Sequence, residues 1–290
     1  MNNLTVSKYT KRERLIRTSV FTLVYSFLTL LVLVSLIPFL MVMVNATRTG
    51  ASIQANGFSL IPGTAFIENW ETLNLFANIL LGFRNSLMVS VSVTVLAGYF
   101  SALTAYGFYV YRFKLNNFLF GFILIFMMVP TQLSFLGFYE FMSQLGLIDS
   151  FIPLIIPSIA SIGTVFFLRQ FTSGVLNKEL IESARIDGAN EFYIFHRIGL
   201  PIMMPGVATM SIFTFIGSWN NYLGARIILN SPSKFTLPLQ LANLRGSTVW
   251  FTNMGALYVG LMISIVPIVI IFIAFSRYIV DSISAGAVKG

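Results

Sequence analysis

Six stretches of this chain run for about twenty residues or more without a charged side chain: 18–47, 85–111, 115–139, 150–168, 198–225 and 246–276. Hydrocarbon offers no partner to backbone N–H and C=O groups, and a helix satisfies them internally. About 20 apolar residues then cross the roughly 30 Å of a bilayer core. The spacing predicts an all-α integral membrane protein, 1–290 forming one transmembrane domain. Its six transmembrane helices fall near 19–44, 86–110, 117–138, 150–168, 202–225 and 255–276. A seventh uncharged stretch, 49–67, carries three Gly, two Ser and a Pro and reads as a loop. Only 10% of the residues are charged, against about 25% in soluble domains. A soluble enzyme and a disordered chain are thereby excluded, and the lack of cysteine excludes a disulfide-stapled secreted domain. The first apolar run, 18–44, is too long for a signal-peptide core and has no small-x-small cleavage site, so it reads as a retained span.

Lys and Arg set the orientation. Thirteen of them, including Arg112, Lys114, Arg169, Lys178, Arg185 and Arg197, fall on one side of this threading, and five (Arg48, Arg84, Arg226, Lys234 and Arg245) on the other. The first side is expected to be cytoplasmic, with both termini inside. Outside lie two long loops, 45–85 and 226–254, and a short one near 139–149. The basic residues are strung along membrane edges with no aromatic-interleaved patch, which disfavours a nucleic-acid partner.

Inside, the connection 169–201 holds eight of the 28 charges and the sole histidine, His196. It reads as two short helices. Asn177 can cap the first, with Leu176, Leu180 and Ala184 as an apolar stripe and with Lys178–Glu182 and Glu182–Arg185 as ion pairs. Asp187-Gly188-Ala189 makes a turn, with Gly188 suited to positive φ. Asn190 caps the second helix, with Phe192, Phe195 and Ile198 on one side, ending at Leu200-Pro201 where the fifth span starts. Two readings fit these residues: a hairpin inserted into another protein's cleft, or an amphipathic hairpin on the membrane surface.

Residues 182–201, ESARIDGANEFYIFHRIGLP, resemble the EAA motif of ABC importer permeases, E-A-A-x-x-D-G-A-x(5)-F-x-x-I-x-L-P, with Ser183 as the single departure. Further segments look like the carbohydrate-uptake branch of that family, and within it like the shorter, six-span subunit of maltose-permease type. They are Arg169-Gln170-Phe171, FTFIGSWNNYL at 213–223, NSPSKFTLPLQL at 230–241 and AGAVKG at 285–290. The resemblance covers about residue 15 to 290 and implies a type I ABC importer transmembrane domain in a bacterial or archaeal cytoplasmic membrane. The implied partners are a second permease subunit, two ATPase subunits that carry the Mg-ATP, and an extracytoplasmic sugar-binding protein. No G-x-x-x-x-G-K-[ST] occurs in this chain, so it has no phosphate cradle of the usual kind and no enzymatic role is expected of it.

The resemblance also distributes roles. Glu182 is expected to pair with a basic residue of the ATPase cleft, and Ala184, Arg185, Asp187, Gly188 and Ala189 complete the coupling loop. The tail Val288, Lys289 and Gly290 is expected to reach the ATPase interface. Asn243, Arg245, Gly246 and Trp250 mark the tip of the outside loop expected to touch the binding protein. Costly polar groups inside spans, Gln132, Asn220 and Asn221, with Trp219 as an aromatic face, are candidates for the substrate pathway. Helix–helix hydrogen bonding and packing are the competing readings. No metal-ligand set gathers around His196. A stand-alone secondary transporter or channel is the alternative, but its spans would need a buried ionisable group to couple ions, and every charge lies at a span edge.

Overall fold

A computed structural model describes the backbone of residues 11–130, 134–246 and 252–287, with side chains from 17 to 278 within those ranges. All regular elements among these residues are helical. They divide into two compact units, one drawn from the described residues of 11–72 and 252–262, the other from those of 73–246 and 263–287.

The first unit opens with α1 (Lys11–Ala46). Its most apolar window has no buried residue. Leu23, Tyr25 and Val32 are all more than half exposed, as a helix apolar on every side must be when its solvent is lipid. Beyond it, the expected loop 45–85 is organised into helices: α2 (Gly50–Ala55), α3 (Phe66–Phe76) and the start of α4 (Ile79–Val110). The polar, Gly-rich composition of this segment conceals short helices with local caps. The Thr49 side chain accepts from the Ser52 N–H, and that of Asn78 from the Leu81 N–H. Buried Arg48 organises the turn after α1, donating to Asn45 Oδ1 at 3.0 Å and to the carbonyls of Ser52 and Asn56 at 2.7 and 2.9 Å. Asn69, also buried, donates to the carbonyls of Ala46 and Arg48 at 3.0 and 2.9 Å.

In the second unit the expected span 117–138 divides into α5 (Asn116–Met127) and α6 (Phe135–Gln144). Pro130, which has no N–H to give to a helix, lies in the break. Next come α7 (Ile152–Ile155), a 3₁₀ turn (Ile156–Ala160) and α8 (Ile162–Val175). The motif loop holds α9 (Lys178–Ile186) and α10 (Glu191–Ile194). A π turn (Phe195–Gly199) then leads into α11 (Leu200–Trp219). After α12 (Tyr222–Ile228), a second 3₁₀ turn (Pro232–Lys234) and α13 (Leu237–Arg245) comes the last helix, α14 (Met254–Ala287), whose residues up to 262 belong to the first unit. Among the described residues, five helical stretches are long and apolar enough to cross a membrane: Arg17–Ala46, Ile79–Val110, Ile152–Val175, Glu191–Trp219 and Met254–Tyr278; Asn116–Met127 is a shorter apolar helix.

Helix α4 packs against both α8 and α11. Its buried face is Ala97, Gly98, Ser101, Ala102 and Ala105, small side chains that let helix backbones approach where burial from lipid supplies no driving force. One end of this core continues into the motif loop. Tyr106, Leu168 and Met203 form one buried cluster with Leu176, Ile181, Ile194 and Phe195. The loop is therefore anchored in the transmembrane core. Burial of Ile181 and Ile194 contributes about 1.5–3 kcal/mol each.

Candidate functional site

The motif loop is built from local signals. Asn177 caps α9 by accepting from the Glu179 N–H at 3.0 Å. Gly188, with φ +83°, ends that helix. Its N–H donates to the Arg185 carbonyl and that of Ala189 to the Ala184 carbonyl, both at 3.0 Å, the paired bonds of a Schellman turn. Asn190 caps α10 by accepting from the Tyr193 N–H at 2.8 Å. Ala184 and Ala189 are half-buried against the cluster beneath the loop.

Three details correct the sequence reading. The inward position on α9 is Ile181, at 1% exposure, whereas Leu180 faces outward at 44%. The three-residue Asn177–Glu179 capping turn sets the helix phase so that Ile181 and Ala184 share the inner face. On the second helix Ile194 and Phe195 are buried and Phe192 is 72% exposed. The expected Glu182 ion pairs do not form among the described residues. Instead Arg185 reaches across the turn to Glu191 in a two-bond pair, Nε to Oε1 at 2.6 Å and Nη2 to Oε2 at 3.2 Å. Tyr111 donates to Glu191 Oε2 at 2.5 Å. The Glu191 carboxylate pushes the Arg185 guanidinium further up from its ordinary value, and burial followed by the bond to Glu191 pushes Tyr111 up. Lys178 stands over the Tyr109 ring, 4.7 Å from its centre.

Helix α10 does not end at Leu200-Pro201. It runs through the π turn, where the Leu200 N–H bonds to the Phe195 carbonyl, and continues as α11. The wider turn relieves the clash a proline ring makes with the carbonyl four residues back, so Pro201 passes without a break. His196 is fixed by its neighbours, Nδ1 2.8 Å from the Phe192 carbonyl and Nε2 3.1 Å from the Tyr99 hydroxyl. The most exposed apolar side chains of the loop are Ile186 at 87% and Phe192 at 72%, and Glu182 is exposed with no ion pair among the described residues.

The expected long loop 226–254 is largely folded. Leu237, Leu239, Gln240, Leu241 and Leu244 of α13 are buried. The segment before α13 is pinned to α4: Asn85 donates to the carbonyls of Ser233 and Phe235 at 3.0 and 3.1 Å, and Ser86 Oγ accepts from the Leu237 N–H at 2.8 Å. Asn85-Ser86 therefore lies inside a helix that starts at Ile79 and docks the 233–237 segment. A cavity of about 400 Å³ opens here, lined among others by Asn78, Ser233, Gln240 and Asn243. Gln240 Oε1 is buried there without a hydrogen-bond partner. Asn243, Arg245 and Gly246 are exposed at the end of α13; Asn243 Oδ1 accepts from Arg226 at 3.4 Å. Trp250 lies outside the described residues, as do Gln132 and the tail Val288, Lys289 and Gly290.

Of the pathway candidates, Trp219 is enclosed at 1% exposure, donates from its ring nitrogen to the Ser264 carbonyl at 3.0 Å and packs on Phe83 and Phe215. Its ring offers no face to a sugar here; the indole is spent on packing. Span five stops at Trp219 rather than 225, and Asn220 and Asn221 occupy the break before α12. Both are exposed, and Asn221 Oδ1 accepts from the Gly224 N–H at 2.9 Å to start α12.

Sequence reasoning missed Asp149. Held at φ 59°, it accepts at Oδ1 from the N–H groups of Asn230 and Ser231, both at 2.9 Å. At Oδ2 it accepts from the Ser231 hydroxyl at 2.6 Å and from Lys234 at 3.0 Å. Its partners lie some eighty residues away, so no local pattern announces them. The Ser231 hydroxyl first, then the Ser231 N–H, Lys234 and the Asn230 N–H, hold this carboxyl well below its usual range. A depressed pKa makes the stabilisation complete above the unfolded value near ~4 and lost as pH falls toward the folded value. Wild-type protein is therefore expected to lose melting temperature between pH 5 and pH 3 more steeply than Asp149→Asn. Parallel acid limbs for the two proteins would contradict this.

Comparison with known proteins follows the same lines. Residues 94–285 match the family described as "Binding-protein-dependent transport system inner membrane component". The chain is 37% identical over 260 residues to the arabinooligosaccharides transport system permease protein AraQ of Halalkalibacterium halodurans, covering 89% of this chain and 92% of that protein. It is 30% identical to the lactose transport system permease protein LacG of Rhizobium radiobacter, covering 91% and 95%. It is 31% identical to the sn-glycerol-3-phosphate transport system permease protein UgpE of Salmonella choleraesuis, covering 89% and 95%. Its fold matches a chain of a bacterial ABC transporter involved in import of the acidic polysaccharide alginate, with a TM-score of 0.75 over 93% of this chain and 98% of that one, at 20% identity. An all-helical membrane chain with an EAA-type loop anchored in its core, matched by the family along about two thirds of its length and by the fold along 93% of it, belongs to the inner-membrane components of binding-protein-dependent ABC importers.

Proposed function

We propose that this chain is one of two permease subunits of an ATP-driven sugar importer, forming half of the translocation pathway and alternating between inward- and outward-facing states. The observation that carries the reading is the form of the motif loop. A Schellman turn joins two helices that expose Ile186, Phe192 and Glu182, on a base rooted in the transmembrane core. A loop that exposes large apolar side chains and an unpaired carboxylate suits a cleft with apolar walls and a basic residue, and an ATPase subunit of an ABC importer is the partner that fits. The thirteen-to-five division of Lys and Arg supports a cytoplasmic loop and cytoplasmic termini, with Asn116–Met127 belonging to a sixth crossing. The remaining partners are a second permease, a second ATPase subunit and an extracytoplasmic binding protein. Mg-ATP is assigned to the ATPase pair, since this sequence carries no Walker A pattern.

A di- or oligosaccharide is the substrate class favoured by the arabinooligosaccharide and lactose permeases among the relatives. A thermal-shift screen of the cognate binding protein against a sugar panel and glycerol 3-phosphate tests this; stabilisation by the phosphate alone would redirect the assignment. The coupling reading has a cleaner test. The chain has no cysteine, so Ile186→Cys introduces a single thiol. A short bifunctional thiol reagent is expected to join it to a cysteine placed in the ATPase cleft, giving one product whose yield changes with ATP. An intact complex that gives no such product would overturn the assignment.

A further inference from the structure

Beside the motif loop lies a pocket of about 470 Å³ lined by Arg112, Lys114, Arg169 and Lys178, with Tyr109, Tyr111 and Phe113 between them and Asn116 and Asn117 at the rim. No carboxylate lines it. The two side-chain ion pairs among the described residues, Arg185–Glu191 and Lys234–Asp149, leave all four cations out. Two are held in place by aromatic rings: Arg169 lies 3.8 Å from the centre of Phe120 and Lys178 lies 4.7 Å from that of Tyr109. Ring contacts orient these groups and leave their charge uncompensated. Arg169 Nε is buried with no acceptor, a donor that an incoming anion would satisfy. Asn116 fixes the connection from α4 to α5, donating to the carbonyls of Phe108 and Tyr111 at 3.0 and 3.1 Å.

We infer that this pocket binds the phosphate headgroup of an acidic phospholipid of the cytoplasmic leaflet. Four uncompensated cations converge on one cavity at a membrane edge, where basic pockets between helices select anionic headgroups. The side follows from the orientation proposed above. The wall beside the pocket distinguishes a lipid from a free phosphate. Helix α5 buries none of its residues, and Leu115 and Phe118 beside the pocket are 58% and 67% exposed. Acyl chains attached to the headgroup would cover that wall; an inorganic anion would not.

The test uses the assembled importer, stripped of lipid in detergent and titrated with dioleoyl phosphatidylglycerol or dioleoyl phosphatidylcholine, with bound lipid counted by native mass spectrometry. Wild type is expected to retain phosphatidylglycerol over phosphatidylcholine. Arg112→Gln/Lys114→Gln, two exposed positions whose change should leave folding intact, is expected to weaken that retention roughly tenfold. Arg169→Gln should weaken it independently. Millimolar inorganic phosphate is expected to leave the bound lipid in place. Displacement by phosphate would assign a soluble anion and overturn the lipid source. Retention by complexes lacking the ATPase subunits but not by complete ones would assign the patch to the ATPase surface. Equal retention by wild type and both variants would overturn the site. None of these outcomes depends on sugar transport, so failure here is separable from failure of the importer assignment.

Discussion

A Gly188→Val importer is expected to assemble, reach the membrane and transport almost nothing. Gly188 sits at φ +83°, and a Cβ added there would meet no atom within 4 Å. Crowding is therefore not the cause of the defect. The cost is the left-handed backbone itself, about 1–2 kcal/mol for an ordinary L-residue and more for a β-branched one. It falls on the turn that closes the Ala189-to-Ala184 and Gly188-to-Arg185 bonds. Opening that turn displaces the exposed Ile186 while Ile181 and Ile194 stay buried below, so the subunit remains folded and only the proposed docking surface is disturbed. Binding-protein-stimulated uptake should drop roughly tenfold or more. Gly188→Asn, which tolerates this region, should retain more activity than Gly188→Ala. Normal uptake by the valine variant would remove the loop from the coupling step.

The second large effect concerns stability. At Gly255 a Cβ would overlap the Arg48 carbonyl and the side-chain amide of Asn69. Neither has room to yield cheaply. Asn69 is buried and its amide holds the carbonyls of Ala46 and Arg48, while Arg48 ties the turn after α1 to α2 through three bonds. Gly255→Ala is expected to cost about 2–4 kcal/mol, an overpacking penalty plus lost bonds to buried groups. It should appear as a lower melting temperature and yield in detergent. Asn69→Ala should cost a similar amount, and the double variant less than the sum, because both changes act on the same node. Additive losses would show that Gly255 is crowded by something else.

What could be read from the sequence was what depends on neighbours along the chain. The apolar runs announced a membrane protein, and Asn177, Gly188 and Asn190 announced a capped helix, a left-handed turn and a second cap. Each of these depends on bonds within a few residues. The misreadings have a different origin. Periodicity favoured Leu180, but the cap set a phase that buries Ile181. Helix spacing paired Glu182 with Arg185, but the turn at Gly188 folds Glu191 back within reach of that guanidinium. Hydropathy joined 117–138 into one span because it carries no penalty for a proline break. Asn85 and Asp149 were seen only as span and loop residues, since their partners lie about 150 and 80 residues away.

The proline at 201 looked like a stop, and the π turn before it makes the stop a bypass. Glu191–Trp219 is thus one continuous helical stretch of 29 residues with Pro205 inside it, ~40 Å of helix by its rise per residue. Its near end carries Phe192, and its far end stops at the hinge-like break of Asn220 and Asn221. If tilted as a unit by ten degrees, a helix of that length shifts its far end by about 7 Å. A flexible joint at Leu200-Pro201 would dissipate the same tilt within the first turn of the span.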